Sequence, residues 1–288
     1  KNMGISPMII GLTIVAMGSS APEIMVAATA SFNGNTDTAV GNALGSNITN
    51  IALVLGLTAL LKPLSIASST LKKEMPVLLL VSLLAVYFLS DFLLLKIEGV
   101  ILITLFFVVI GGLTWMSFNM EKGDPIQPET ENEIPSGVST SKAVMWLTIG
   151  MILLPLSAYF MVDSAETIAR YFGLSELVIG LTIIAIGTSL PELAACIAGV
   201  LKNEDDLALG NIIGSNIFNL LAVLAMPGLI APGVVDENAA TRDSYVMLGL
   251  TLLLIIFSFN LKGSRCINRV EGLCLITCFF SYQFLLFS

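Results

Sequence analysis

Gly180-Leu-Thr-Ile-Ile-Ala-Ile-Gly-Thr-Ser-Leu-Pro-Glu192 begins as an apolar helix that should simply cross a membrane, and then stops behaving like one. Gly187, Thr188, Ser189 and Pro191 interrupt the run, which ends on the carboxylate of Glu192. Pro191 supplies no backbone N–H, so a carbonyl near Thr188 loses its helical partner. In hydrocarbon, an orphan carbonyl or a carboxylate costs several kcal/mol unless protein or a hydrated cavity surrounds it. A chain that keeps all of these together uses them. The same stretch occurs earlier, as Gly11-Leu-Thr-Ile-Val-Ala-Met-Gly-Ser-Ser-Ala-Pro-Glu23.

The surroundings of both copies are apolar. Hydrophobic residues make up 56% of the 288 and charged residues only 12%, with a mean hydropathy of +0.92. Soluble domains carry about 25% charged residues, so the composition is that of a membrane-embedded protein. The chain contains no histidine, which removes His-based catalysis and most transition-metal sites. Its four cysteines form no C-x-x-C pair. The net charge of −8 lies mostly in loops and implies no nucleic-acid partner.

Spans are expected at residues 7–32, 39–62, 74–95 and 97–119, then at 142–163, 174–201, 205–231, 243–260 and 270–287. Residues 120–141 differ. Glu121, Lys122, Asp124, Glu129, Glu131 and Glu133 alternate with Pro125, Pro128 and Pro135, a composition that cannot bury an apolar face. This stretch reads as a solvated linker between two halves, 1–119 and 142–288.

The halves repeat. A shift of 169 residues lays Gly11–Glu23 on Gly180–Glu192 without a gap. It also lays Gly41-Asn-Ala-Leu-Gly-Ser-Asn-Ile-Thr-Asn50 on Gly210-Asn-Ile-Ile-Gly-Ser-Asn-Ile-Phe-Asn219. Outside the motifs, Asp37 meets Asp206, Pro63 meets Pro232 and Glu74 meets Asp243. The counterpart of the span at 142–163 would precede Lys1, so nine spans of an expected ten are present.

Basic residues orient the spans. One side receives Lys1, Lys62, Lys72, Lys73, Lys122, Lys142, Lys202, Lys262, Arg265 and Arg269; the other receives Lys96, Arg170 and Arg242. The richer side is the cytoplasmic one, which puts the 120–141 linker in the cytoplasm and the C-terminus outside. Five spans per repeat is an odd number, so the two motifs enter the membrane from opposite faces. The expected fold is therefore all-α, a polytopic membrane protein with an inverted-topology repeat of 5+5 transmembrane helices.

The motif segments supply only oxygen donors. Glu23 and Glu192 bring carboxylates, and Ser19, Ser20, Thr188 and Ser189 precede them with hydroxyls. Ser46 and Asn50, like Ser215 and Asn219, lie at i,i+4 on one helical face. Gly41/Gly45 and Gly210/Gly214 form small-residue ridges that let these spans approach closely. Such a set suits hard cations: Ca²⁺ takes about 6–8 oxygens, whereas Mg²⁺ keeps its waters. No Lys or Arg lies in these segments, so a cation or protons must balance two carboxylates that otherwise repel each other. One Ca²⁺ neutralises the pair, and so do two Na⁺. Asp37 and Asp206 read as acids favouring helix N-termini rather than as ligands.

The paired motifs, G-S-S-A-P-E (18–23) with 41–50 and G-T-S-L-P-E (187–192) with 210–219, resemble the sodium/calcium exchangers of the calcium/cation antiporter superfamily, in their compact prokaryotic form. The resemblance implies a secondary-active antiporter in the plasma (inner) membrane, not an enzyme, with ten helices and one cluster of cation sites at the repeat interface. It implies no cofactor, with Ca²⁺ and Na⁺ as transported substrates. Carried over by position, Glu23 and Glu192 bind Ca²⁺ and Na⁺ alternately. Ser19, Ser20, Ser46, Thr188, Ser189 and Ser215 complete the Na⁺ sites with the carbonyls of Ala16 and Ala185, and Asn50 and Asn219 line the centre. Some members place Asp where this chain has Asn219, which leaves the site at charge −2 rather than −3. The rival readings are an H⁺-coupled antiporter on the same repeats and, further off, a cation channel. A membrane enzyme is the weakest, because no base is placed to activate a hydroxyl.

Overall fold

The computed structural model describes residues 20–66, 68–118, 140–202, 205–258 and 266–287. Most of the first motif span (7–19), with Ala16 and Ser19, and residues 119–139 of the linker lie outside them, as does the side chain of Asp206.

Nine helices run through the described residues. In the first half they are α1 (Ala21–Phe32), α2 (Thr36–Leu61), α3 (Ser68–Leu89) and α4 (Lys96–Phe118). In the second they are α5 (Thr140–Phe172), α6 (Glu176–Leu201), α7 (Asp205–Phe218, continuing through Ala225–Ile230), α8 (Ala239–Ser258) and α9 (Arg269–Leu286). Among them α2, α6, α7, α8 and α9 are long and apolar enough to cross a membrane. Four short strands lie in the connections: β1 (Leu64–Ser65), β2 (Leu93–Leu94), β3 (Gly233–Val234) and β4 (Cys266–Ile267).

Two expected spans need correction. In place of a third span at 74–95 stands α3, Ser68–Leu89, about a turn and a half earlier. The apolar run Phe92–Leu95 reads as membrane, yet Phe92 adopts a left-handed conformation (φ 63°) and its neighbours form β2. In place of a fifth span ending at 163, α5 reaches Phe172. Asp163, Glu166 and Arg170 mark where apolar sequence ends, not where the helix does.

The inverted repeat is visible in the packing. β1 pairs with β4 and β3 pairs with β2, both antiparallel. The 169-residue shift carries β1 onto β3, so each half contributes one strand to a pair at each end. Gly56 of α2 meets Gly272 of α9, and Gly228 of α7 meets Gly99 of α4. A Cβ on Gly272 would lie 2.8 Å from the Gly56 carbonyl oxygen, and one on Gly228 would lie 3.0 Å from the Gly99 Cα. Without side chains at these crossings the backbones nearly touch.

The two long motif helices cross at repeat-equivalent residues. Asn47 of α2 donates from Nδ2 to the carbonyl of Asn216 in α7 at 3.3 Å. Counterparts in contact must lie beside the axis that relates the halves, so the pseudo-two-fold passes through this crossing.

The same logic places the charged ends. At one end the Lys62 ammonium lies 2.9 Å from Asp205 Oδ1, and the Ser65 hydroxyl donates to Asp205 Oδ2 at 2.6 Å. Arg269 donates to the Leu61 carbonyl there. At the other, the Asp236 N–H donates to Asp37 Oδ1 at 2.9 Å, and Thr36 donates to the Ala231 carbonyl. Asp37 thus does sit in the first turn of α2, and it also ties that turn to the connection between α7 and α8.

Candidate functional site

The second motif helix is interrupted rather than unwound. In α6 the break is one residue wide: Ser189 (φ −83°, ψ 0°) still donates its N–H to Ala185 and accepts from Leu193. The helix restarts at Leu190 with Pro191 in its first turn. Ser20 (φ −92°, ψ 4°) precedes α1 in the same manner, with Pro22 in the first turn. Glu23 and Glu192 therefore each occupy the first turn of a newly started helix, where the dipole favours a negative charge. Neither carboxylate is exposed at all, and each is close enough to feel the other's charge.

A second local departure accompanies the asparagines. Helix α2 widens to π geometry over Thr49–Leu55 and α7 over Asn219–Val223, so Asn50 and Asn219 both stand at the opening of a π-helical segment. Such bulges in α-helices frequently sit at functional sites, because they re-aim side chains and loosen the ladder. Gly180–Ile184 of α6 is π-helical as well.

Glycine brings the two motifs together. A Cβ on Gly41 would lie 2.7 Å from the Leu177 carbonyl oxygen, and one on Gly45 would lie 2.7 Å from the Leu181 Cα. One on Gly180 would strike the Thr38 carbonyl. The expected ridge on α2 is thus packed against α6. Around Gly210 and Gly214 the described residues leave room; the counterpart segment, 8–16, lies outside them.

A hydroxyl chain follows from this contact. Ser20 and Ser215 share a hydrogen between hydroxyls 2.9 Å apart, and Ser215 donates to Glu192 Oε1 at 3.1 Å. On the other side Ser46 and Thr188 lie 3.3 Å apart. The structure thus gathers Glu23, Glu192, Ser20, Ser46, Thr188, Ser189, Ser215, Asn50 and Asn219 as buried residues of the motif helices. Ala185 is buried too, and its carbonyl accepts from both the Ser189 N–H and the Thr188 hydroxyl.

What lacks a partner defines the chemistry. Glu23 Oε1 and Oε2, Glu192 Oε2, Ser189 Oγ, Asn50 Oδ1 and Asn219 Oδ1 are all buried without a hydrogen-bond partner among the described residues. Buried polar atoms are nearly always satisfied, and an isolated buried carboxylate is among the most costly exceptions. The two ion pairs found among the described residues, Lys62–Asp205 and Arg242–Asp243, involve neither glutamate. No cluster of three or more Asp, Glu, His or Cys occurs among the described residues either. A bound cation here would draw on two carboxylates and neutral oxygens.

Sequence reasoning assigns no role to four motif asparagines, Asn42, Asn47, Asn211 and Asn216, and the structure gives three of them partners in the motif helices. Asn42 donates to the Glu23 carbonyl at 3.1 Å, and Asn50 donates to Asn216 Oδ1 at 3.1 Å. The signal available for Asn42 is its place four residues before Ser46, on the face that carries Ser46 and Asn50. Asn47 and Asn216 are off that face, and only the helix crossing reveals them.

The family model for "Sodium/calcium exchanger protein" matches residues 1–115 and 142–288. The chain belongs to the sodium/calcium exchanger family. It is 57% identical over all 288 residues to the putative antiporter CaxA of Alkalimonas amylolytica, covering 90% of that protein. It is 45% identical over 266 residues to the inner membrane protein YrbG of Escherichia coli (strain K12), covering 90% of this chain and 79% of YrbG. Among solved structures, the sodium-calcium exchanger NCX_Mj soaked with Na⁺ and Sr²⁺ superposes with a TM-score of 0.70 at 33% identity, over 96% of this chain and 86% of that one. As a member of this exchanger family the chain is a multi-pass membrane antiporter of Ca²⁺ and other cations and not an enzyme, and its fold is the family's inverted repeat.

Proposed function

We propose that this chain exchanges Na⁺ for Ca²⁺ by alternating access around one buried site shared by Glu23 and Glu192. The observation that carries the reading is the pair of solvent-free carboxylates, one from each repeat, with orphaned oxygens and no basic partner among the described residues. A single Ca²⁺ neutralises both. Two Na⁺ do the same, held by Ser20, Ser46, Thr188, Ser189 and Ser215, with Ser19 and the carbonyl of Ala16 completing the set. The Ala185 carbonyl joins when Thr188 turns away from it. Asn50 and Asn219 line the centre without adding charge. A fixed charge of −2 serves either cargo in turn, which is the competition an antiporter needs.

The name of NCX_Mj as a sodium-calcium exchanger supports Na⁺ as the coupling ion. The bias of basic residues supports a cytoplasmic 120–141 linker joining halves 1–119 and 142–288, with the C-terminus outside. The name of YrbG supports the inner membrane.

Reconstituted vesicles test the reading. An outward-to-inward Na⁺ gradient should drive ⁴⁵Ca²⁺ the opposite way, and unlabelled Ca²⁺ on the far side should accelerate labelled Ca²⁺. Flux driven by a pH gradient and indifferent to Na⁺ would assign the site to H⁺ coupling instead. Absence of counterflow would indicate a channel.

A further inference from the structure

Of the six motif asparagines, Asn42, Asn47, Asn50, Asn211, Asn216 and Asn219, five leave at least one amide atom without a partner. Asn42 alone is fully engaged, and it is wholly buried. Its Nδ2 donates to the Glu23 backbone carbonyl at 3.1 Å, which fixes which way the amide faces. Its Oδ1 is thereby turned to the hydroxyls of Ser46 and Thr188, each 3.5 Å away. The repeat counterpart, Asn211, has no such bond from its Nδ2 among the described residues.

We infer that Asn42 is a positioning residue for cation binding, acting through Ser46 while holding the start of α1. A hydroxyl has one hydrogen and two lone pairs. An acceptor at Asn42 Oδ1 draws the Ser46 hydrogen to one side and leaves the Ser46 lone pairs for a cation, whereas the Thr188 hydrogen has the nearer Ala185 carbonyl at 3.3 Å. With no acceptor at Asn42, the Ser46 hydrogen can turn into the site and repel the ion. The nitrogen acts separately. It ties α2 to the turn that carries Glu23, so carboxylate and hydroxyls keep one relative position.

The inference rests on the Ca²⁺ reading above, and the test separates the two. Ca²⁺-dependent thermal stabilisation of the purified chain is measured for the parent, Ser46→Ala, Asn42→Leu, Asn42→Asp and the corresponding doubles. Leu matches the shape of Asn without its polar atoms, and Asp keeps an acceptor oxygen. Asn42→Leu should weaken apparent Ca²⁺ affinity roughly tenfold. Ser46→Ala should weaken the parent and the Asp variant but cost nothing further in the Leu background. A control, Asn47→Leu, should lower stability and leave the Ser46→Ala cost intact. An equal Ser46→Ala cost in the Leu and parent backgrounds, or no cost in the Asp background, overturns the inference; if the Leu variant does not fold, the Asp background decides. A parent that Ca²⁺ does not stabilise removes the Ca²⁺ reading and the inference together.

Discussion

The Ser20 and Ser215 hydroxyls lie 2.9 Å apart across the repeat boundary, and Ser215 passes its hydrogen to Glu192. One oxygen thus links a residue of the first repeat to the carboxylate of the second. Hydrogen bonds to charged groups contribute about 1.5–3 kcal/mol, so Ser215→Ala should weaken monovalent competition with Ca²⁺ roughly tenfold or more. Titrating Na⁺ against ⁴⁵Ca²⁺ uptake checks it; an unchanged half-inhibitory Na⁺ concentration would leave Ser215 a packing residue.

Glu23→Gln and Glu192→Gln should each abolish exchange while leaving folded protein in the membrane. Because these carboxylates are buried with no basic partner among the described residues, neutralising either should raise the melting temperature in chelator. Stabilisation by added Ca²⁺ should disappear in the same variants. A fall in melting temperature together with lost transport would point to a structural role.

Gly45→Ala tests the close approach of α2 and α6. Its methyl would meet the Leu181 Cα at 2.7 Å and the Ala185 Cβ at 2.8 Å, both fixed by backbone. Forcing atoms into a packed contact costs typically about 1–3 kcal/mol, so the melting temperature should drop. Flux should fall further than stability, since the Ser46–Thr188 pair is pushed apart. Gly249→Ala, where nothing lies within 4 Å, should change neither.

Asp205 gives the protein a pH dependence outside the buried site. Burial pushes its carboxyl up, but the Ser65 hydroxyl, the Lys62 ammonium and the Ser65 N–H outweigh that and hold it below the usual carboxylate range. A carboxyl with a lowered folded pKa stabilises the fold fully above its unfolded value of about 3.9, and that stability is lost as pH falls through the folded value. Lys62 is partly exposed, which limits the pair to about 0.5–1 kcal/mol. Asp205→Asn should lower the melting temperature slightly at pH 7, and the difference should shrink as pH falls below about 3.9. Melting curves at pH 7 and through an acid series check both halves of this statement.

Much of this was legible because the chain says it twice. A doubled G-x-S-x-P-E stretch in hydrocarbon can be read without coordinates, since a carboxylate there is too costly to be idle. The i,i+4 placement of Ser46 and Asn50 likewise survives into the fold as a shared buried face. The shift of α3 to Ser68–Leu89 was not legible, because hydropathy scores Phe92–Leu95 as membrane whether it is helix or strand. Nor were the π-helical openings at Asn50 and Asn219, which depend on backbone packing across the repeat. Asn47 and Asn216 escaped for the same reason: a residue at a helix crossing looks like any other until its partner is known.

The four short strands carry a consequence for how the molecule is made. Each pairs with a strand encoded far away in the other half, β1 with β4 and β3 with β2. Translation therefore delivers an N-terminal portion whose two little edges stay open until the ribosome has produced the C-terminal portion. Duplication created two look-alike copies, but neither is a self-sufficient module: each is finished by its sibling, like two hands that must clasp before either grip exists.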